Sequence, residues 1–229
     1  MSILFLKIIA LVFMTIDHIG LFLLNNNQIF RFLGRIAFPL YSFILVQGFI
    51  HVKDNKKKLT KYFVNLSIFA IITEPIYNYI MNNGLTYFQS QNILFSLLTY
   101  LFAMLIYEKN SKTITDKIVF LLLFFTICLL SEILFLNYGA LGLCLTLGFY
   151  LIEKYNCLKN NKTVSYLILL LIYTSLAVLK WKYIEVGALL SIIPIILYNY
   201  EKGYSSKLLK YFFYIYYPLH LFILLLLKK

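Results

Sequence analysis

Acid is scarce in this chain: nine Asp and Glu stand against twenty-one Lys and Arg in 229 residues. Charge of either sign is short, at 13 % of residues, where a soluble domain carries about a quarter. That shortage excludes an ordinary water-facing surface. Cysteine is limited to Cys128, Cys144 and Cys157. None forms a C-x-x-C pair, which argues against a disulfide framework or a zinc site. The three histidines, His18, His51 and His220, show no i, i+4 spacing, so no metal is expected. A Walker loop, a G-x-G-x-x-G and a G-x-S-x-G are all missing, which leaves ATP-driven transport and a hydrolase elbow without support. Internal repeats and low-complexity linkers are lacking as well, and residues 1–229 read as a single integral membrane domain.

What the chain has in excess is apolar. Hydrophobic residues make up 62 % and aromatics 18 %. That much cannot be buried in one water-soluble core, so the solvent must be lipid. About nine runs of spanning length are expected: Ile3–Leu24, Gly34–Ile50, Tyr62–Met81, Asn92–Tyr107, Lys117–Phe135, Tyr138–Ile152, Val164–Leu179, Tyr183–Tyr200 and Tyr211–Leu227. None alternates with period two, and lipid demands internal backbone hydrogen bonds. The fold class is therefore all-α, a polytopic transmembrane helical bundle. The amino-terminal stretch lacks a charged region followed by a small-residue cleavage site, so the first run reads as a retained helix.

The formal charge of +12 would suggest nucleic acid in a soluble protein. Here the lysines lie between apolar runs, with no basic face carrying interleaved stacking aromatics, and no nucleic-acid partner is expected. Lys53, Lys56, Lys57, Lys58 and Lys61 crowd one loop, and later even-numbered loops carry Lys109 and Lys112, then Lys154, Lys159 and Lys162, then Lys202, Lys207 and Lys210. The odd-numbered loops are rich in Asn, Gln and Gly. This bias places the amino terminus inside the cell membrane and the carboxyl terminus outside.

The expensive residues lie within the runs. Pro39, Pro75, Pro194 and Pro218 each remove a backbone donor, and Pro39 frees the carbonyl of Arg35. A charge at the bilayer centre costs at least about 2.5–3.5 kcal/mol, so ionisable residues should turn inward. Asp17 and His18 lie roughly 20 Å along the first helix, with Glu74 at similar depth in the third span. Arg31 and Arg35 stand at the outer end of the second. Gln91 and Asn92 open the fourth, Glu132 and Tyr138 lie near the outer end of the fifth, and Tyr217 and His220 sit in the last. Arg35 is the natural counter-ion for Asp17 or Glu74. His18 is the candidate general base, and His51 reads as a surface residue.

Several stretches carry a family resemblance: Ile16-Asp-His-Ile-Gly20, Leu33-Gly-Arg-Ile-Ala-Phe-Pro-Leu40 running to Gly48-Phe49, Thr73-Glu-Pro75, Asn92-Ile-Leu-Phe95 and Phe213-Tyr-Ile-Tyr-Tyr-Pro-Leu-His220. Together they resemble the TraX family, which is associated with conjugation and includes the pilin N-acetylase. The resemblance implies an acetyltransferase similar in kind to the wider membrane acyltransferase superfamily. Such an enzyme would carry an acyl group from cytoplasmic acetyl-CoA to an outer-face acceptor such as a pilin, peptide or glycan, with His18 and Arg35 at its centre. The sequence departs from that pattern at Gln47, where an acidic residue is expected, and at Asn65, where Arg is expected.

On this reading His18, Asp17, Arg35 and Glu74 are catalytic. Gln91, Asn92, Glu132, Tyr138, Tyr217 and His220 bind the acceptor. Lys56, Lys57, Lys58 and Gln47 serve acetyl-CoA, the lysines attracting its phosphates. Adjacent residues on a helix point about 100° apart, so the partner of His18 is open among Asp17, Glu74 and Arg35. A transporter and a non-catalytic assembly protein are the alternatives.

Overall fold

The structure, a computed structural model, describes residues 1–86, 89–155 and 161–228; Cys157 and Lys159 lie outside the described residues. The protein is all-α, as the apolar runs require. In chain order the helices are α1 (Ile3–Phe22), α2 (Gln28–Gly34), α3 (Ala37–Val52), α4 (Lys56–Asn82), α5 (Ile93–Lys109), α6 (Ile114–Ile133), α7 (Gly139–Tyr155), α8 (Lys162–Lys180), α9 (Ile192–Ile196) and α10 (Lys207–Leu227). A 3-10 segment, Tyr183–Ser191, leads directly into α9.

Among the described residues, six helical stretches are long and apolar enough to cross a bilayer: α1, the α2–α3 stretch Gln28–Val52, α4, α6, α8 and α10. The expected number of nine is therefore approximate. The fourth and sixth runs form α5 and α7, of 17 residues each, at the lower limit for spanning. The eighth forms the shorter apolar stretch Tyr183–Ile196.

Asparagines in the loops do local work that hydropathy does not reveal. Asn27 accepts from the Ile29 and Phe30 amides at 3.0 and 3.2 Å and starts α2. Asn55 accepts from the Lys58 amide at 3.1 Å, and Asn92 from the Leu94 amide at 2.9 Å. Each supplies an oxygen to amides that a helix start leaves unbonded. At α6 the pairing is reciprocal: Thr113 accepts from the Asp116 amide, and Asp116 accepts from that of Thr113. The prolines behave in two ways. Pro75 and Pro218 sit inside α4 and α10. Pro39 is third in α3, in a first turn whose amides have no helical partner anyway, and Pro194 is third in α9, which continues directly from the 3-10 segment. The helix break before Pro39 falls at Arg35 and Ile36, where the missing donor puts it.

The chain divides into two compact units. One comprises residues up to Ile44 together with those from Leu151 onward; the other is Leu45–Tyr150. In the first unit, Leu6, Ala10, Leu40, Phe43, Leu170, Ala177, Ala188 and Leu221 are buried, and the Phe43 ring meets Tyr166 and Tyr198 edge-on. In the second, Phe49 packs edge-on against Tyr150. There α6 buries only Phe120, Ile127 and Ser131. Its remaining face, with Leu121, Leu122, Phe125, Leu129 and Ile133 exposed, suits contact with lipid tails.

Candidate functional site

Helix α1 brings Asp17 and His18 into the first unit, and its neighbours reach them because two glycines allow the backbones to close. A Cβ at Gly34 would overlap the Asp17 side chain and lie 2.6 Å from Asp17 Cα. A Cβ at Gly187 would overlap the Phe32 carbonyl oxygen and lie 3.4 Å from Arg35 Cβ. Glycine at these two positions thus sets α2 against α1 and the 3-10 segment against α2.

Four charged side chains then interlock. Arg31 Nη1 donates to Asp17 Oδ2 at 2.5 Å. Arg35 Nη2 stands 3.6 Å from Asp17 Oδ1, and Arg35 Nε lies 3.3 Å from Glu185 Oε1. The order Arg31–Asp17–Arg35–Glu185 alternates in sign and sums to zero. Side-chain exposures are 15, 13, 9 and 5 % along it, so these charges are largely removed from solvent and depend on one another. Arg35 is the counter-ion of Asp17, one of the two pairings the sequence left open. Arg31, placed by the sequence at the outer end of its span, is the closer partner. Sequence reasoning misses Glu185. The signal was present, since an acid inside an apolar run carries the same cost that singled out Asp17.

His18 turns away from this row. Its Nδ1 lies 2.7 Å from His220 Nε2, and the two rings are nearly parallel, 5.0 Å apart at 6°. The partner is none of the three candidates read from sequence. His220 Nδ1 lies 3.0 Å from the Tyr216 carbonyl. The Tyr216 hydroxyl bonds Thr15 Oγ1 at 2.8 Å, and Thr15 donates to the Leu11 carbonyl one turn back. Tyr217, buried with His220, tilts against both imidazoles. His18 itself is half-buried.

The second unit has a polar cluster of its own. Glu74 Oε2 accepts from the backbone and side-chain amides of Asn92, at 3.1 and 2.5 Å. Asn92, wholly buried, also donates to the Ala70 carbonyl at 2.9 Å. Glu74 Oε1 is buried and has no hydrogen-bond partner among the described residues. The Gln91 backbone is pinned at both ends, its amide to the Phe135 carbonyl and its carbonyl to Asn137 Nδ2. Glu132 Oε1 accepts from the Ala140 amide at 2.9 Å, capping the first turn of α7 just beyond Tyr138, which sits at φ +61°. Gln47 is half-buried on α3, and Lys56, Lys57 and Lys58 form the exposed first turn of α4. His51 is exposed, as expected of a surface residue.

No group of three or more His, Cys, Asp or Glu side chains among the described residues could hold a metal ion. The helices and the buried, charge-balanced row define an integral membrane protein with a polar centre built into its first unit. The chain matches the TraX protein family over residues 2–228 and belongs to it. Among curated proteins it is 28 % identical, over 96 % of this chain and 92 % of the other, to one from Dichelobacter nodosus described as "Probable fimbrial assembly protein FimC, serogroup H1". An uncharacterised protein of Rickettsia prowazekii (strain Madrid E) is 40 % identical over 67 residues, 29 % of this chain and 26 % of the other. No solved structure matches the chain.

Proposed function

We propose that this protein is a membrane acyltransferase that moves an acetyl group from acetyl-CoA to an amine or hydroxyl, with His18 as general base. The observation that carries the reading is the His18–His220 contact. It presents an imidazole held by a second imidazole, beside a buried row of balanced charge, on helices of spanning length. A positioned imidazole can accept a proton near neutral pH.

In the reaction, His18 removes the proton from the acceptor N–H or O–H. The freed electron pair attacks the thioester carbonyl carbon and forms the new C–N or C–O bond. The C–S bond breaks as the tetrahedral oxyanion collapses, and the leaving CoA thiolate takes up one proton. Arg35 or Tyr217 would stabilise the oxyanion. Lys56, Lys57 and Lys58, exposed at the start of α4, suit the phosphates of CoA as point charges.

Family membership supports a role in conjugation or fimbrial assembly. The printed name of the Dichelobacter nodosus relative favours a pilin-type acceptor. The same name favours a second reading, in which the chain assists assembly without catalysis. Membranes containing the protein should transfer labelled acetyl from acetyl-CoA to a pilin amino-terminal peptide. Replacement of His18 by Ala should lower that rate by about 10²–10⁴-fold while leaving protein level and melting temperature near wild type. Full activity in H18A would remove the base assignment. A total lack of transfer by wild-type protein, with pilus assembly intact, would favour the assembly reading.

A further inference from the structure

A carbonyl oxygen only accepts, so an imidazole nitrogen bonded to one must carry a proton. His220 Nδ1 is bonded to the Tyr216 carbonyl at 3.0 Å and therefore donates. In the neutral ring His220 Nε2 is then bare and can only accept. His18 Nδ1 lies 2.7 Å from it, so His18 is the donor. The proton of neutral His18 is fixed on Nδ1, and its lone pair is on Nε2.

We propose that His220 is a positioning residue that sets the tautomer of His18, and that the two rings form a relay holding one extra proton, admitted at His18 Nε2. The inference rests on the reading of His18 as general base. A proton taken from the acceptor adds to His18 Nε2. The proton on His18 Nδ1 can then pass to His220 Nε2, and His220 Nδ1–H stays on the Tyr216 carbonyl. Positive charge is thus shared between α1 and α10. A second proton would set two N–H groups against each other across the 2.7 Å gap. It would also hold two cationic rings edge to edge with centroids 5.0 Å apart, which a low-dielectric interior penalises heavily.

The surrounding groups leave this task to the pair. Asp17, on the same helix as His18, is engaged by Arg31 and Arg35, and Arg35 extends to Glu185 of the 3-10 segment. On α10, Tyr216 stacks on His220 at 5.3 Å, and Tyr217 tilts against both rings. Lys228 lies over the Phe22 ring, which in turn flanks His18. No carboxylate bonds either imidazole among the described residues. The orienting position that a triad gives to Asp is occupied here by an imidazole.

The test is nitrogen NMR of protein labelled with 15N-histidine in lipid nanodiscs, titrated with pH. The His51→Asn replacement leaves only the pair visible. Expected are two rings protonated at Nδ1 in the neutral state and uptake of one proton by the pair. In His220→Gln the amide oxygen can replace Nε2 as acceptor, and His18 keeps its proton on Nδ1. In His220→Phe no acceptor is left, and His18 becomes a mixture of tautomers. A proton on His18 Nε2 in neutral wild type, two independent uptakes, or an unchanged tautomer in H220F would each overturn the relay. If H220F fails to fold, the wild-type titration and H220Q still decide. In acetyl transfer, H220F should lose about 10²-fold or more, with a displaced pH profile, and H220Q should recover part of that loss. Lack of transfer by wild type would count against the acyltransferase reading alone, since the NMR outcome judges the relay without activity.

Discussion

Arg35 shows how much one side chain can depend on its neighbours. It stands between Asp17 and Glu185, 9 % exposed, and each carboxylate is affordable in that interior only because a guanidinium faces it. Breaking a buried pair on one side costs about 3–5 kcal/mol, because the surviving charge is stranded. Glu185→Gln, which keeps the shape and removes the charge, should therefore lower the melting temperature in detergent clearly. The double replacement Arg35→Met with Glu185→Gln should cost less than the sum of the two single changes. Additive losses would mean that the two side chains do not interact. Gly34 is the second sensitive position. A side chain there overlaps Asp17, so Gly34→Val should destabilise by about 1–3 kcal/mol through overpacking, measurable as a lower midpoint in the same melting experiment.

At the scale of elements, helix ends decide where side chains arrive. The break between α2 and α3 lies at Arg35, and the nine-residue 3-10 segment carries Glu185. Runs of 3-10 geometry longer than three or four residues are uncommon and often mark functional hinges. Hydropathy reveals neither feature: the break is signalled by Pro39 and not by the apolar run Gly34–Ile50, and nothing in the run Tyr183–Tyr200 marks 3-10 geometry. The start of α7 depends on Glu132, whose carboxylate accepts from the Ala140 amide. Loss of such a cap costs about 0.5–2 kcal/mol, so Glu132→Ala should reduce stability by that amount. If acetyl transfer falls much further than stability, Glu132 serves the acceptor as well as the helix. The end of α7 and the start of α8 are joined by Glu153, which accepts from Lys162 Nζ at 2.9 Å and from the Tyr166 and Tyr200 hydroxyls at 2.5 and 3.0 Å.

For the whole molecule, the sequence sets an orientation that a simple labelling experiment checks. Helix α4 has 27 residues and is about 40 Å long, enough to carry its two ends to opposite sides of a bilayer. The end at Lys56, Lys57 and Lys58 is cationic and the end at Asn82 and Asn83 is neutral, so the lysines should face the cytoplasm. In a protein cleared of its native cysteines, Lys57→Cys should resist an impermeant thiol reagent added outside intact cells, and Asn83→Cys should react. The reverse pattern would invert the orientation and place the lysines out of reach of cytoplasmic CoA.

Composition and hydropathy alone determined that this is an all-α membrane protein, because burial in lipid is decided segment by segment and each apolar run carries its own information. They also determined that Asp17, His18, Arg35 and Glu74 had to find partners, since the cost of a bare charge in a bilayer does not depend on the fold. Which partners they found was decided only by tertiary structure. His18 meets His220 across 202 positions of chain, Glu185 enters the row through Arg35, and Glu74 leans on Asn92. The Arg35 pairings follow backbone approach at Gly34 and Gly187, and the other two follow the meeting of α1 with α10 and of α4 with the start of α5. These are relations between distant segments, and periodicity along a single run does not encode them.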